Sequence, residues 1–397
     1  MNNKVLTILC SVSFLSTGCG GSSDSGGSSD LTKPPAELKT GVILDSAVSN
    51  LSYKTASQND VTDSQGKFSY IEGETVAFSI GTLNFPVVKA EGVITPMTLS
   101  GNSALSNQQV TNIAILLQSL DENGNPDDGI TIPAGAAAVA SAIDLSVPTA
   151  DFVSNTAVIN MIANSGSTNT ALVSAQAAQD HLKSTIASQT PYVRSWTNRT
   201  GSSESHLILF PDNTFVYAEN DDEAPNGLEL GRYSYDTVSK NLTLSITYDT
   251  NGPGEDSGVG DIGQDFVTDV VFSNANNTMT ILNGEFEFAA NDLSTSTIVG
   301  AWSITNTTET EHLVLFADNT FIYAENDSAE PNGLELGTYS YDEGAGEITF
   351  TITYDDNGPG QDSGIGDIGT PAVIPVVLSN GANTLQVDGT LNFNRSL

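Results

Sequence analysis

The chain has 397 residues, with 48 aspartates and glutamates against 12 lysines and arginines, for a formal net charge of −36. Such a charge repels nucleic acid and anionic membrane surfaces at long range, so no nucleic-acid partner is expected, while 38% hydrophobic and only 15% charged residues argue for a folded chain. Both cysteines, Cys10 and Cys19, fall in the first twenty residues, which excludes disulfides, cysteine metal sites and a cysteine nucleophile from the rest.

The N-terminal stretch "MNNKVLTILCSVSFLSTGC" places Lys4 before an apolar run from Val5 to Leu15 and small residues up to Cys19. The apolar run is too short to span a bilayer comfortably, and residues 1–18 read as a signal peptide. This stretch resembles a bacterial lipoprotein signal. The resemblance implies that Cys19 becomes the lipidated N-terminus and ties the protein to a membrane. The sequence departs from the usual pattern in carrying Ser16 three residues before the cysteine, where leucine is common, with Leu15 one further back; a plain secretory signal is the alternative. Gly20, standing where an aspartate would retain resembling proteins at the inner membrane, implies an outer-membrane address in a bacterial cell envelope. Residues 19–40, beginning "CGGSSDSGGSSD", read as a flexible tether.

From residue 41 to residue 100, short apolar runs alternate with turns such as Asp63-Ser64-Gln65-Gly66, which predicts a small β-sandwich. The phrase "TDSQGKFSY" resembles the prealbumin-like β-sandwich modules of secreted bacterial proteins. Residues 101–190 turn helical. In "SNQQVTNIAILLQSL", Val110, Ile113, Leu117 and Leu120 recur at helical spacing behind Ser106 or Asn107 as a cap, and "AGAAAVASAI", "DFVSNTAVINMIA" and "TALVSAQAAQDHLKSTIA" predict further helices. Between them "DENGNPDDG" at 121–129 alternates Asp121, Asn123, Asn125, Asp127 and Asp128. These oxygens suit calcium, but Pro126 replaces the glycine that makes the sharp turn, and a plain helix-ending turn is the alternative. The phrase "LLQSLDENGNPDDGITI" resembles one that recurs in uncharacterised lipoproteins of marine-type bacteria. His181 is a lone helical histidine, read as a surface or cap residue.

From about Tyr192 the chain repeats itself with an offset of 106, which carries Trp196 to Trp302 and His206 to His312; 24 of the 31 positions from His206 to Asp236 match their mates, too many for chance. At this length the copies, residues 191–292 and 297–397, are expected to be self-contained tandem domains. Leu242, Leu244, Ile246 and Tyr248 alternate with polar residues, as do Ile348, Phe350, Ile352 and Tyr354, so one face of each strand is apolar. Eight strand-like runs per copy, near 193–199, 205–210, 214–220, 229–236, 241–248, 266–273, 277–282 and 284–289, predict an antiparallel meander that closes into a barrel. "GAW" at Gly300–Trp302, "LFADNTFIYAE" and "GTYSYD" resemble the lipocalin-like repeats of bacterial secreted proteins. The expected chain is thus multidomain and mainly β with a helical segment: a small sandwich, a helical region and two tandem barrel-like domains.

Two features of each copy are candidate sites. With Asp212-Asn213 as a two-residue hairpin turn, His206 falls opposite Glu219, and His312 opposite Glu325. Such a pair is an ion pair, half a metal site, an acid–base pair or a plain cross-strand contact. Asp221 or Asp327 is the nearest third metal ligand. The long segment "YDTNGPGEDSGVGDIG" and its mate "YDDNGPGQDSGIGDIG" gather Asp249, Asn251, Asp256 and Asp261, then Asp355, Asn357, Asp362 and Asp367, among glycines that let several oxygens converge. That chemistry suits calcium as a cofactor; a solvated loop kept by duplication is the alternative. No serine, lysine or second histidine is placed to complete a mechanism, so no enzyme is expected. The favoured function is an envelope-anchored interaction module of adhesion-like character that meets an extracellular or periplasmic partner through both repeats; the alternative is a carrier of a small hydrophobic ligand. An apolar cavity in the barrels favours the carrier, and a filled core the interaction module.

Overall fold

The computed structural model describes residues 37–201, 203–220, 226–250, 258–291, 298–305, 309–327, 333–356, 364–379 and 382–396. Among them the chain is mainly β: a small N-terminal sheet region, a few helices, then two closed eight-stranded antiparallel barrels.

The N-terminal region packs two small sheets over Phe68. Strands Leu38–Ile43, Lys67–Ile71 and Val93–Ile94 make one sheet, and Ser52–Lys54, Asn59–Val61, Thr75–Ile80, Leu83–Asn84 and Val88–Lys89 the other. Phe68 meets Phe78 and Tyr53 of the facing sheet edge-on, with centroids 5.3 and 5.8 Å apart. The turn at 63–66 forms as its residues predict, with the Asp63 carboxylate accepting from the Gln65 and Lys67 amides.

Helix Gln108–Ser119 starts on the Asn107 side chain, and its residues from Val110 to Ser119 are all buried, so it forms the centre of this region. Two other helices differ from expectation. The alanine-rich stretch yields only Ala136–Val139. The next breaks into Thr149–Ser154 and Thr156–Asn164, because Asn155 takes an extended backbone and caps the second piece through the Ala157 amide. Helix Ala175–Gln189 starts on Ser174. Strand Ile130–Thr131 pairs with Val48–Ser49, and one continuous apolar core runs from the sandwich through the helices into the first barrel.

The first barrel runs Ser195–Thr200, Ser203–Leu209, Thr214–Asn220, Gly227–Tyr235, Asn241–Asp249, Asp265–Ser273, Thr278–Ile281 and Phe286–Ala290. The second runs Gly300–Thr305, Glu309–Leu315, Thr320–Asp327, Gly333–Asp342, Glu347–Asp355, Ala372–Ser379, Thr384–Val387 and Leu391–Arg395. Each strand pairs with the next in sequence, and the first pairs with the eighth, so neither barrel leaves an edge. Trp196 and Trp302 lie fully buried in their lumens and donate to the Tyr192 and Ile298 carbonyls.

The alternation from Leu242 to Ile246 points into the lumen as expected, but Tyr248 does not follow it. A bulge shifts the register between Leu230 and Gly231, so Tyr248 turns outward; Tyr354 does the same after the bulge between Leu336 and Gly337.

The outward faces of strands two to four of each barrel pack against each other. Ile208, Phe210, Val216, Ala218, Leu228 and Leu230 meet their own mates Val314, Phe316, Ile322, Ala324, Leu334 and Leu336 in one buried cluster. Two ring stacks cross this interface reciprocally, His206 on Phe316 at 5.1 Å and His312 on Phe210 at 4.6 Å. Residue i meeting the mate of j, while j meets the mate of i, is the signature of two-fold pairing, here within one chain.

Candidate functional site

The hairpin that positions the histidines contains three residues, not two. Phe210 donates to Thr214, and Asn213 adopts the left-handed region with φ of 68°. The register therefore shifts by one: His206 faces Ala218, and Ser205 faces Glu219; in the second copy His312 faces Ala324, and Glu311 faces Glu325. A one-residue shift moves a side chain to the other face of a sheet. The proposed pairs His206–Glu219 and His312–Glu325 do not form. The histidines lie in the inter-barrel interface, whereas Glu219 and Glu325 point into the lumens.

Each histidine instead holds a hydroxyl from the neighbouring strand. His206 Nδ1 is 2.9 Å from Thr197 Oγ1, and His312 Nδ1 is 2.8 Å from Ser303 Oγ. His206 also reaches Glu204 at 3.1 Å. Burial pushes the Glu204 carboxyl up, but His206 and Arg199 outweigh it and hold it at about 2. The second copy has Thr310 where the first has Glu204. Without that partner, burial holds His312 down at about 4.

The carboxylates that left the histidines gather at one mouth of each barrel. In the first barrel, Glu219 accepts from the Gly258 amide at 3.1 Å, and Glu229 takes the Val259 amide on both oxygens at 2.9 and 3.0 Å. The end of the acidic glycine-rich segment thus folds over the mouth, with Val259 buried. In the second barrel, Glu335 takes the Ile365 amide at 3.0 and 2.9 Å, while Tyr323 donates to Glu311 at 2.9 Å. Burial pushes Glu229 up to about 9 and Glu335 up to about 8, although the amide hydrogen bonds pull the other way. Burial, then the charge of Glu311, pushes the Tyr323 phenol well up. Glu311, Glu325 and Glu335 are all buried, and the first copy has Ser205 in place of Glu311.

The second barrel holds a cavity of about 300 Å³ lined by Tyr323, Leu313, Phe350, Ile365 and Phe393, among others, with Asp388 and Thr390 as polar lining residues. Its origin is legible in the pairing. Leu244 faces Phe266 in the first barrel, and the matching pair in the second is Phe350 and Ala372. Ile281 becomes Val387 by the same register. Phe266 and Ile281 are buried in the first lumen; of their smaller counterparts, Val387 lines the cavity of the second, whereas Ala372 lies beside Gly366.

The acidic segments are only partly in view. Asn251, Asp256, Asn357 and Asp362 lie outside the described residues, as does Cys19. Asp249 and Asp355 end their strands opposite Glu229 and Glu335, and Asp261 accepts from the Gln264 amide side chain at 3.0 Å. Asp367 lies in the turn before Thr370, whose amide donates to its carbonyl. At 121–129, Asp121 accepts from the Thr131 amide and Asp128 from Asn123. Among the described residues, no group of three or more histidine, aspartate or glutamate side chains is placed to hold a metal ion. His181 is no isolated surface residue: it lies between Ser46 and Asp127.

No protein-family model matches the chain, and no curated protein matches it.

Proposed function

We propose that the protein is a binding protein whose second barrel takes one small, mainly apolar ligand. Of the two functions expected from the sequence, the carrier is the one favoured by the cavity of about 300 Å³, which lies at the small end of ligand sites. Its walls are mostly aromatic and aliphatic side chains, with Asp388 and Thr390 as polar groups. Past Tyr323 lie three buried carboxyl groups, and the whole chain carries a formal charge of −36. An anionic amphiphile such as a fatty acid meets repulsion there, so the ligand class is a neutral or cationic apolar molecule. The first barrel, filled by Phe266 and Ile281, serves as its structural partner.

The test uses the full chain with N-phenyl-1-naphthylamine, a neutral probe that brightens in apolar sites. Saturable brightening is expected, with laurate competing poorly. Val387→Phe, which places a ring in the cavity wall, should abolish it while the protein stays folded. Equal brightening in a folded Val387→Phe removes this reading.

A further inference from the structure

Three residues far apart in sequence converge at the junction of the sandwich and the helices. Ser46 Oγ lies 3.0 Å from His181 Nε2, and Asp127 Oδ1 lies 3.2 Å from His181 Nδ1. We infer that Ser46, His181 and Asp127 form a nucleophilic serine site that hydrolyses small neutral carboxylic esters. This inference is independent of the barrel lumen.

The local structure accounts for each placement. Ser46 sits in the tight turn closed by the bridge of Leu44 to Ala47, just after strand Leu38–Ile43. Its φ is 59°, in the left-handed region that strains a non-glycine residue. A serine held on a strained turn at the end of a strand is one way to present Oγ to a substrate. His181 projects from helix Ala175–Gln189, with Thr185 one turn on and 3.4 Å from the same Nε2. Asp127 comes from the short 3-10 turn Pro126–Asp128, part of the acidic phrase at 121–129.

The two ring nitrogens have different tasks. Asp127 beside Nδ1 favours the tautomer with the proton there, which leaves the Nε2 lone pair facing the serine hydroxyl. Exposure grades along the row, from 5% for Ser46 and 11% for the His181 side chain to 84% for that of Asp127, so the site opens at the surface. The limited exposure of Ser46 selects a small acyl group, and the acidic surface disfavours anionic esters.

The chemistry balances without a cofactor. Ser46 Oγ attacks the carbonyl carbon while its proton passes to His181 Nε2. The ester C–O bond breaks, and the leaving alcohol takes that proton. Water then attacks the acyl-serine and gives a proton to His181. The acyl–Oγ bond breaks, Ser46 regains the proton, and the carboxylic acid departs.

The full chain should react one-to-one with a fluorophosphonate at Ser46, read by peptide mass, and should release nitrophenolate from 4-nitrophenyl acetate. Ser46→Ala and Ser46→Gly should both lose the label; the glycine variant relieves the backbone strain and keeps the test valid if alanine unfolds. Asp127→Asn should slow ester hydrolysis by roughly tenfold or more, whereas Thr185→Val should retain it. A wild-type chain that takes no label, or a label that persists in a folded Ser46 variant, overturns the site and leaves Ser46 as a hydrogen-bonded turn residue.

Discussion

Glu335 shows how burial and hydrogen bonding compete at one side chain. The Ile365 amide favours its ionised form, yet burial outweighs that and raises the carboxyl from 4.5 to about 8. A carboxyl raised on folding keeps its proton in the native state after the unfolded chain has released it. Stability is therefore full below about pH 4.5 and is lost as pH rises toward 8. Glu229 and Asp45, raised by burial to about 9 and about 8, act in the same direction. His312 acts oppositely: lowered from 6.5 to about 4, it removes stability as pH falls through that range. The melting temperature is expected to decline from pH 6 to pH 9, and Glu335→Gln, which keeps an oxygen for the Ile365 amide, should flatten that decline. Parallel melting-versus-pH curves for the two proteins would show that Glu335 carries none of it.

At the scale of elements, the strands were legible because a two-residue period with short turns leaves few alternatives to a meander. Their register was not, since the sequence "PDNT" does not announce that Asn213 is left-handed in a three-residue turn, which sets His206 opposite Ala218 instead of Glu219. The helix break at Asn155 was hidden for a related reason: a good cap and a tolerable helix residue look alike until packing decides. The cavity did have a signal, the change from Ile281 to Val387 between otherwise similar copies. Ser46, Asp127 and His181 had none, because their meeting depends on how three elements pack. The bulges carry a sharp dependence on one residue each. A Cβ on Gly337 would overlap the Thr351 carbonyl and the Phe321 ring, and Gly231 stands in the same relation to Ser245 and Phe215. Gly337→Ala should lose roughly 1–3 kcal/mol in chemical denaturation. A loss below a few tenths would mean that the bulge does not need its glycine.

The whole molecule is less divisible than its repeat suggests. A copy cut out as residues 297–397 would expose Val314, Phe316, Ile322 and Leu334, which the first barrel now covers. Because that cover consists of the same residues in a two-fold arrangement, the isolated copy should pair with itself rather than remain a self-contained monomer. Sedimentation should show a monomer–dimer equilibrium, and Ala324→Asp should shift it to monomer. An isolated copy that stays folded and monomeric at hundreds of micromolar would show that the face is not self-complementary.

Joining the copies changes the kinetics of that pairing. The last strand of the first barrel ends at Ala290 and the first strand of the second begins at Gly300, so little chain separates partners that would otherwise have to meet by diffusion. A tether this short sets a local concentration on the order of millimolar. Separation then becomes a unimolecular fluctuation that closes again, whatever the dilution outside. A free pair using the same face would come apart as the protein thinned into its surroundings; this one cannot, and its second lumen stays seated on its filled neighbour.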